Sequence, residues 1–202
     1  MAYESFDTAD GFLITDWNEF KALAEQLAEE GYIPIYGEFN SILEVVVINL
    51  IHKIRASGRT AATLLINSGG GDDPSYAAIV GAMKASGMEF TGVVIGYASS
   101  NAAYLLQVCA HRQAFFTSTI MLHWGCLILN NRQLAALVAH ETWPVDDAVA
   151  YLKQEVAAIL DRSGLTFEEF SDLAGNERHL NATLALEMGL LDEIVDVLSV
   201  PV

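Results

Sequence analysis

The sequence predicts an α/β fold of repeated strand–helix units around a mainly parallel sheet. Three observations carry this expectation. Short apolar runs alternate along the chain with segments of helical periodicity. Two of the strand-to-helix junctions are built from glycine and small residues. No linker, repeat or low-complexity segment marks a second domain, so residues 1–202 read as one unit of ordinary size. Strands separated by helices at this spacing imply crossover units rather than hairpins.

The elements follow in order. Residues 17–30 carry helical spacing of apolar side chains, open after Asp16 and end before Gly31. Residues 33–36 form a short strand. A second helix covers 40–56, with Ser41 as its expected cap and Gly58 just beyond its end. Residues 62–66 (ATLLI) form a strand expected to stop at Asn67-Ser68-Gly69-Gly70-Gly71, and Pro74 opens a third helix over 74–86. Another strand at 90–95 leads through Gly96 to a helix over 101–110, and 114–116 and 120–122 are two further strands. After Trp124 the texture becomes helical, with segments at 134–138 and 145–160 broken by Trp143-Pro144.

Composition narrows the function. Hydrophobic residues make up 52% of the chain and mean hydropathy is +0.33, a surplus that calls for a membrane segment or for subunit contacts. Residues 90–110 carry no charge, but Gly92, Gly96, Ser99, Ser100, Asn101 and Gln107 interrupt them. Polar groups at that depth would stay unpaired in hydrocarbon, so strand, turn and buried helix fit better than a span. The surplus then belongs to an oligomer interface. A net charge of −16 repels a nucleic-acid backbone. Cys109 and Cys126 lie among apolar residues and suggest neither a disulfide framework nor a metal set. With no basic-then-apolar leader at the N-terminus, the expected setting is cytoplasmic.

The two glycine-bearing junctions hold the candidate chemistry. Gly69, Gly70 and Gly71 permit positive φ and close backbone approach, so their amides can face a ligand oxygen. The spacing is not that of a phosphate-binding P-loop, and no Lys-Ser/Thr pair follows. In Gly96-Tyr97-Ala98-Ser99-Ser100-Asn101 a strand turns into an apolar helix, which sets Ser100 where free amides and the helix dipole favour negative charge. Ser100 there is either an ordinary N-cap or a nucleophile whose oxyanion those amides would stabilise. His123 ends a strand just before Trp124, either as a structural histidine or as the general base such a serine requires.

These blocks together resemble the proteolytic subunit of the Clp protease family. Ile66 to Gly71 resembles the family's Ile-Asn-Ser-Pro-Gly-Gly turn, with Gly69 in place of proline, and Gly96 to Asn101 resembles Gly-x-Ala-x-Ser-Met, with Asn101 in place of methionine. Met121-Leu122-His123-Trp124-Gly125 resembles Met-Ile-His-Gln-Pro, and Leu180-Asn181-Ala182 with Ala185 to Asp192 resembles the C-terminal signature. The resemblance covers roughly residues 33–195. It implies Ser100 as nucleophile, His123 as base and the Gly71 and Asn101 amides as oxyanion hole. An extended peptide would lie along Gly69, Gly70, Trp124 and Gly125. Glu177 stands where the family has its aspartate, one methylene longer, with Asp172 as the alternative acid and a solvated loop carboxylate as the plain reading of Glu177. Ser99 is expected to pack, and His52, His111, His140 and His179 have no motif around them.

The resemblance further implies a head (about 1–124 and 181–202), a projecting helical handle (about 125–180) and assembly into homo-oligomeric rings. Departures bear on that assembly: Leu127-Ile128-Leu129-Asn130-Asn131 replaces the glycine-rich part of the handle, 140–144 is inserted, and Asn176 replaces an arginine. Few residues precede Ser5-Phe6-Asp7, which weighs against docking of an AAA+ unfoldase. The expected activity is ATP-independent peptide hydrolysis, a chemistry that needs no metal or organic cofactor. Two other readings stay open: a non-catalytic ring subunit, and a relative of the enoyl-CoA hydratases, which share the fold and hold a thioester oxyanion with paired amides.

Overall fold

A computed structural model describes residues 17–124 and 130–198. Helix α1 (Trp17–Glu29) leads to β1 (Tyr32–Phe39), α2 (Ser41–Ala56), β2 (Ala61–Gly71), α3 (Asp73–Ser86), β3 (Glu89–Ser99) and α4 (Asn101–Gln107). Strands β4 (His111–Phe115) and β5 (Thr119–Met121) follow, then helices α5 (Asn131–Val138), α6 (Trp143–Ser163) and α7 (Phe167–Gly175). Strand β6 (His179–Asn181), helix α8 (Ala182–Glu187) and strand β7 (Glu193–Val195) close the described chain. The sheet runs β1-β2-β3-β4-β7 with every pair parallel; β5 joins β3 in parallel and β6 joins β5 antiparallel. The chain is therefore mixed α/β on a mainly parallel sheet.

Burial explains the alternation. In α2, Leu43, Val46, Val47, Leu50, Ile51 and Ile54 are buried, one stripe at helical spacing turned onto the sheet. Central β3 places Val94 and Ala98 in one continuous core with Leu64 and Ile66 of β2 and Leu105 and Leu106 of α4. Pro34 sits in β1, at an end of the described sheet, where a missing backbone donor costs least. The uncharged stretch 90–110 is the strand β3, a turn at Ser100 and the helix α4. Among the described residues no helix is long and apolar enough to cross a membrane.

Several boundaries differ from the sequence expectation. Asn40, not Ser41, caps α2: its Oδ1 accepts from the Ile42 and Leu43 amides, each at 3.0 Å. Helix α4 stops at Gln107 rather than 110. Trp143 and Pro144 open α6 instead of breaking a helix, because proline in the first turn forfeits no helical bond. The largest correction concerns β2, which continues through all three glycines to Gly71. It does so with register shifts against both neighbours, at Tyr36/Glu38 of β1 and at Ile66/Ser68 of β2 itself. Such irregularities re-aim a strand end, and here they lie beside the candidate site.

Candidate active site

Ser100 stands where β3 turns into α4. It occupies the N-cap position of α4 but makes no side-chain capping bond, and its backbone is held at φ 54° and ψ −130°. The turn is over-determined by its neighbours. The Ser100 amide donates to Met121 O at 2.9 Å and its carbonyl accepts from the Tyr104 amide at 3.0 Å. A half-buried serine held in a disfavoured conformation at a strand-to-helix elbow, its hydroxyl not spent on a cap, has the backbone setting of a nucleophile elbow.

The forking of β3 brings the histidine to it. The first half of β3 pairs with β4, while Tyr97, Ala98 and Ser99 pair with Thr119, Ile120 and Met121 of β5. His123 leaves the end of β5 beside the elbow, and its Nε2 lies 2.8 Å from Ser100 Oγ. Tyr104 Oη donates to the His123 carbonyl at 3.3 Å, from one helical turn beyond Ser100. That spacing was visible in the sequence, since residues four apart share a helix face.

The acid arrives by a second pairing. Antiparallel β5 and β6 set Met121 opposite His179, so His123, two residues past the end of β5, faces Glu177, two residues before the start of β6. Glu177 Oε1 lies 3.6 Å from His123 Nδ1, within ion-pair range and longer than a good hydrogen bond. The glutamate side chain is 68% exposed against 26% for the histidine. Asp172 is engaged elsewhere: its Oδ1 accepts from Asn176 Nδ2 at 2.9 Å. The structure thus brings Ser100, His123 and Glu177 into one line and leaves Asp172 outside it.

The glycine strand end forms the opposite wall. A Cβ on Gly70 would meet Ser100 Cβ at 2.6 Å and the Asn101 amide nitrogen at 2.9 Å, so only glycine fits against the elbow. The Gly70 amide donates to Ser68 Oγ at 3.1 Å, and Ser68 Oγ donates to the Gly37 carbonyl. Sequence reading missed buried Ser68, whose hydroxyl holds both register irregularities together. Gly71 follows at φ 146° with its α-carbon against the Phe39 backbone. Asn101 contributes more than its amide: Nδ2 donates to Gly71 O and to Asp73 Oδ1, both at 2.8 Å.

Of the residues expected to touch substrate, Gly69 lies under the Tyr97 ring, where a Cβ would stand 3.7 Å from Cε2. Gly125 lies outside the described residues, as do Cys126, 127–129 and Ser5-Phe6-Asp7. Trp124 packs its ring on α7, 5.3 Å from Phe170 edge-on and 5.9 Å from Phe167. It therefore fixes the helix whose end carries Glu177. Ser99 is buried at the end of β3, as its packing role requires.

A family model described as Clp protease matches residues 16–197. The chain belongs to the Clp protease family. No curated protein matches it. Membership makes peptide hydrolysis the chemistry of the family to which this fold belongs, and its members assemble as rings. Among the described residues no cluster of His, Cys, Asp and Glu is arranged to hold a metal ion. Cys109 is no rival nucleophile: complete burial pushes its thiol up to about 12, against the opposing pull of Arg162 and Arg112.

Proposed function

We propose that this Clp-family chain is a serine endopeptidase in which Ser100 is the nucleophile, His123 the general base and Glu177 the orienting acid. One observation carries the reading: Ser100, strained and uncapped at its elbow, has its hydroxyl 2.8 Å from His123 Nε2. In the acylation step the Oγ–H proton moves to Nε2 as Oγ bonds to the peptide carbonyl carbon, and the carbonyl π electrons pass to oxygen. The amides of Gly71 and Asn101 hold that oxyanion. Gly70 is not assigned the role because its amide already serves Ser68. Collapse breaks the C–N bond, and the departing amine takes the proton from His123. Water then repeats the sequence, giving its proton to His123 and releasing the acid with Ser100 restored.

The peptide or unfolded segment would lie extended along the glycine end of β2, pairing through its backbone as an added strand. Exposed Leu23, Ile42 and Val45 on α1 and α2 support assembly into a homo-oligomeric ring, and an AAA+ unfoldase is a further candidate partner. The test is covalent: a fluorophosphonate probe should label Ser100, read by peptide mass spectrometry, and labelling should vanish in Ser100→Ala and His123→Ala. An unlabelled, intact oligomer would overturn the reading. It would instead support a ring subunit without catalysis, which the exposure of Glu177 and its 3.6 Å separation from His123 favour.

A further inference from the structure

Two consecutive side chains of β2 meet the irregularities on its two sides. Toward β1 the pairing runs from Tyr36–Asn67 to Glu38–Gly70, one residue more in β2 than in β1. Toward β3 it runs from Ile66–Val94 to Ser68–Ala98, two residues more in β3 than in β2. On the β3 side Asn67 Oδ1 accepts from the Tyr97 amide at 3.3 Å, and a Cβ on Gly96 would collide with that oxygen. On the β1 side fully buried Ser68 donates through Oγ to the Gly37 carbonyl and accepts from the Gly70 amide at 3.1 Å. One hydroxyl thus ties the two strands at the step where β2 carries its extra residue.

The ladder beyond that step sets the direction of the Gly71 amide. Phe39 pairs with Gly71 and its carbonyl accepts from the Asp72 amide at 2.9 Å. In a parallel ladder this pairing gives β1 the Gly70 carbonyl and the Asp72 amide, and turns both polar groups of Gly71 away from β1. The Gly71 carbonyl accordingly accepts from Asn101 Nδ2, at 2.8 Å. Gly70, at φ 93°, is therefore the joint between two peptide planes. Its carbonyl plane carries the Gly71 amide and is held by β1; its amide plane is held by Ser68 Oγ. Glycine at such a joint turns cheaply unless both planes are fixed. We infer that Ser68 is a positioning residue whose hydroxyl fixes Gly70 and so aims the Gly71 amide at the carbonyl oxygen that Ser100 attacks. The inference rests on the serine-peptidase reading, because it concerns a donor to the oxyanion.

The experiment combines peptide turnover with hydrogen exchange read residue by residue. Ser68→Ala should lower kcat by about tenfold, less than the loss of an oxyanion donor outright, with KM within about twofold. Ser68→Cys keeps nearly the same shape but offers only a thiol, a weak donor and acceptor, so it should lose as much as Ser68→Ala. The core variant Ile51→Val, destabilised at a distance from the site, should keep wild-type kcat. In the wild-type protein the Gly70 amide should exchange slowly, like its ladder neighbours in β2. Fluorophosphonate labelling, in which Ser100 Oγ bonds to phosphorus as fluoride leaves, should slow exchange at the Gly71 amide, which then donates to the phosphoryl oxygen. Wild-type kcat in Ser68→Ala or Ser68→Cys, or a loss carried by KM, would overturn the inference. So would fast exchange of the wild-type Gly70 amide, a result that needs no variant to fold. Failure of the wild-type protein to label at Ser100 would instead remove the peptidase reading and the inference with it.

Discussion

Ser100 and Glu177 hold backbone conformations that their side chains disfavour, with φ of 54° and 48°. Strain of this kind costs about 1–3 kcal/mol and persists only where the surroundings impose it. For Glu177 the imposing structure is the end of α7. The Arg178 amide bonds Leu173 O and the Glu177 amide bonds Ala174 O, each at 3.4 Å, the two bonds of a Schellman ending with Glu177 at its left-handed position. Glycine is the usual residue there. Glu177→Gly should therefore raise thermal stability by about 1 kcal/mol, or about 2–4 °C in a chain of this size. If Glu177 is the proposed orienting acid, the same change should lower kcat by about 100-fold. Calorimetry and peptide turnover on one preparation check both halves. A variant that loses stability would show the left-handed turn to be unstrained, and one that keeps full activity would remove Glu177 from the mechanism.

At the scale of elements, α7 leads into Glu177 at its C-terminal end, and Trp124 packs against it. Its ring lies against Phe167 and Phe170, while the N-terminus of α7 is closed by a Thr166–Glu169 capping box. The backbone and hydroxyl bonds from Thr166 hold the Glu169 carboxyl below its ordinary range. Trp124→Ala should cost about 2 kcal/mol by lost aromatic packing and lower turnover through the Glu177 loop. Trp124→Phe should keep much of both. Denaturant melts beside kcat measure the pair; a Trp124→Ala protein with native turnover would show that α7 needs no such anchor. The strand–helix alternation and the elbow at Ser100 were legible in the sequence because apolar periodicity and small-residue junctions are local signals. The glycine end of β2 was not, since three glycines read as a turn and only the neighbouring strands make them a ladder. The meeting of His123 with Glu177 was legible only through the family resemblance, because it depends on β5 pairing with β6, strands of three residues each that are too short to show a period. The side chain of Asn101 was read only through its amide, because its partners lie 30 and 28 residues away.

Across the whole molecule, one ionic network ties the long α6 to the sheet that carries the site. Asp192, just before β7, accepts from Arg112 of β4 at 2.6 Å and from Arg162 near the end of α6 at 2.8 Å. Arg162 also donates to the carbonyls of Cys109 and Ala110, and Arg112 to Gln107 Oε1. Burial alone would raise the Asp192 carboxyl, but the hydrogen bonds from Arg112 and the charges of both arginines outweigh it and hold the group below the ordinary aspartate range. A group whose folded pKa is depressed adds stability above its unfolded value of about 4, and that stability is lost as pH falls through the folded value. Stability should therefore be full at pH 7 and fall on acidification below about pH 4. Asp192→Asn should behave differently. It leaves Arg112, whose side chain is only 3% exposed, without its counter-charge, and should cost about 3 kcal/mol at neutral pH. Because the variant has nothing left to titrate at this position, its deficit should shrink as the wild-type carboxylate protonates. Urea melts of both proteins between pH 7 and pH 2.5 give the difference directly: convergence toward low pH is the expected result, and two parallel curves would show that the network's stabilisation does not depend on the Asp192 charge.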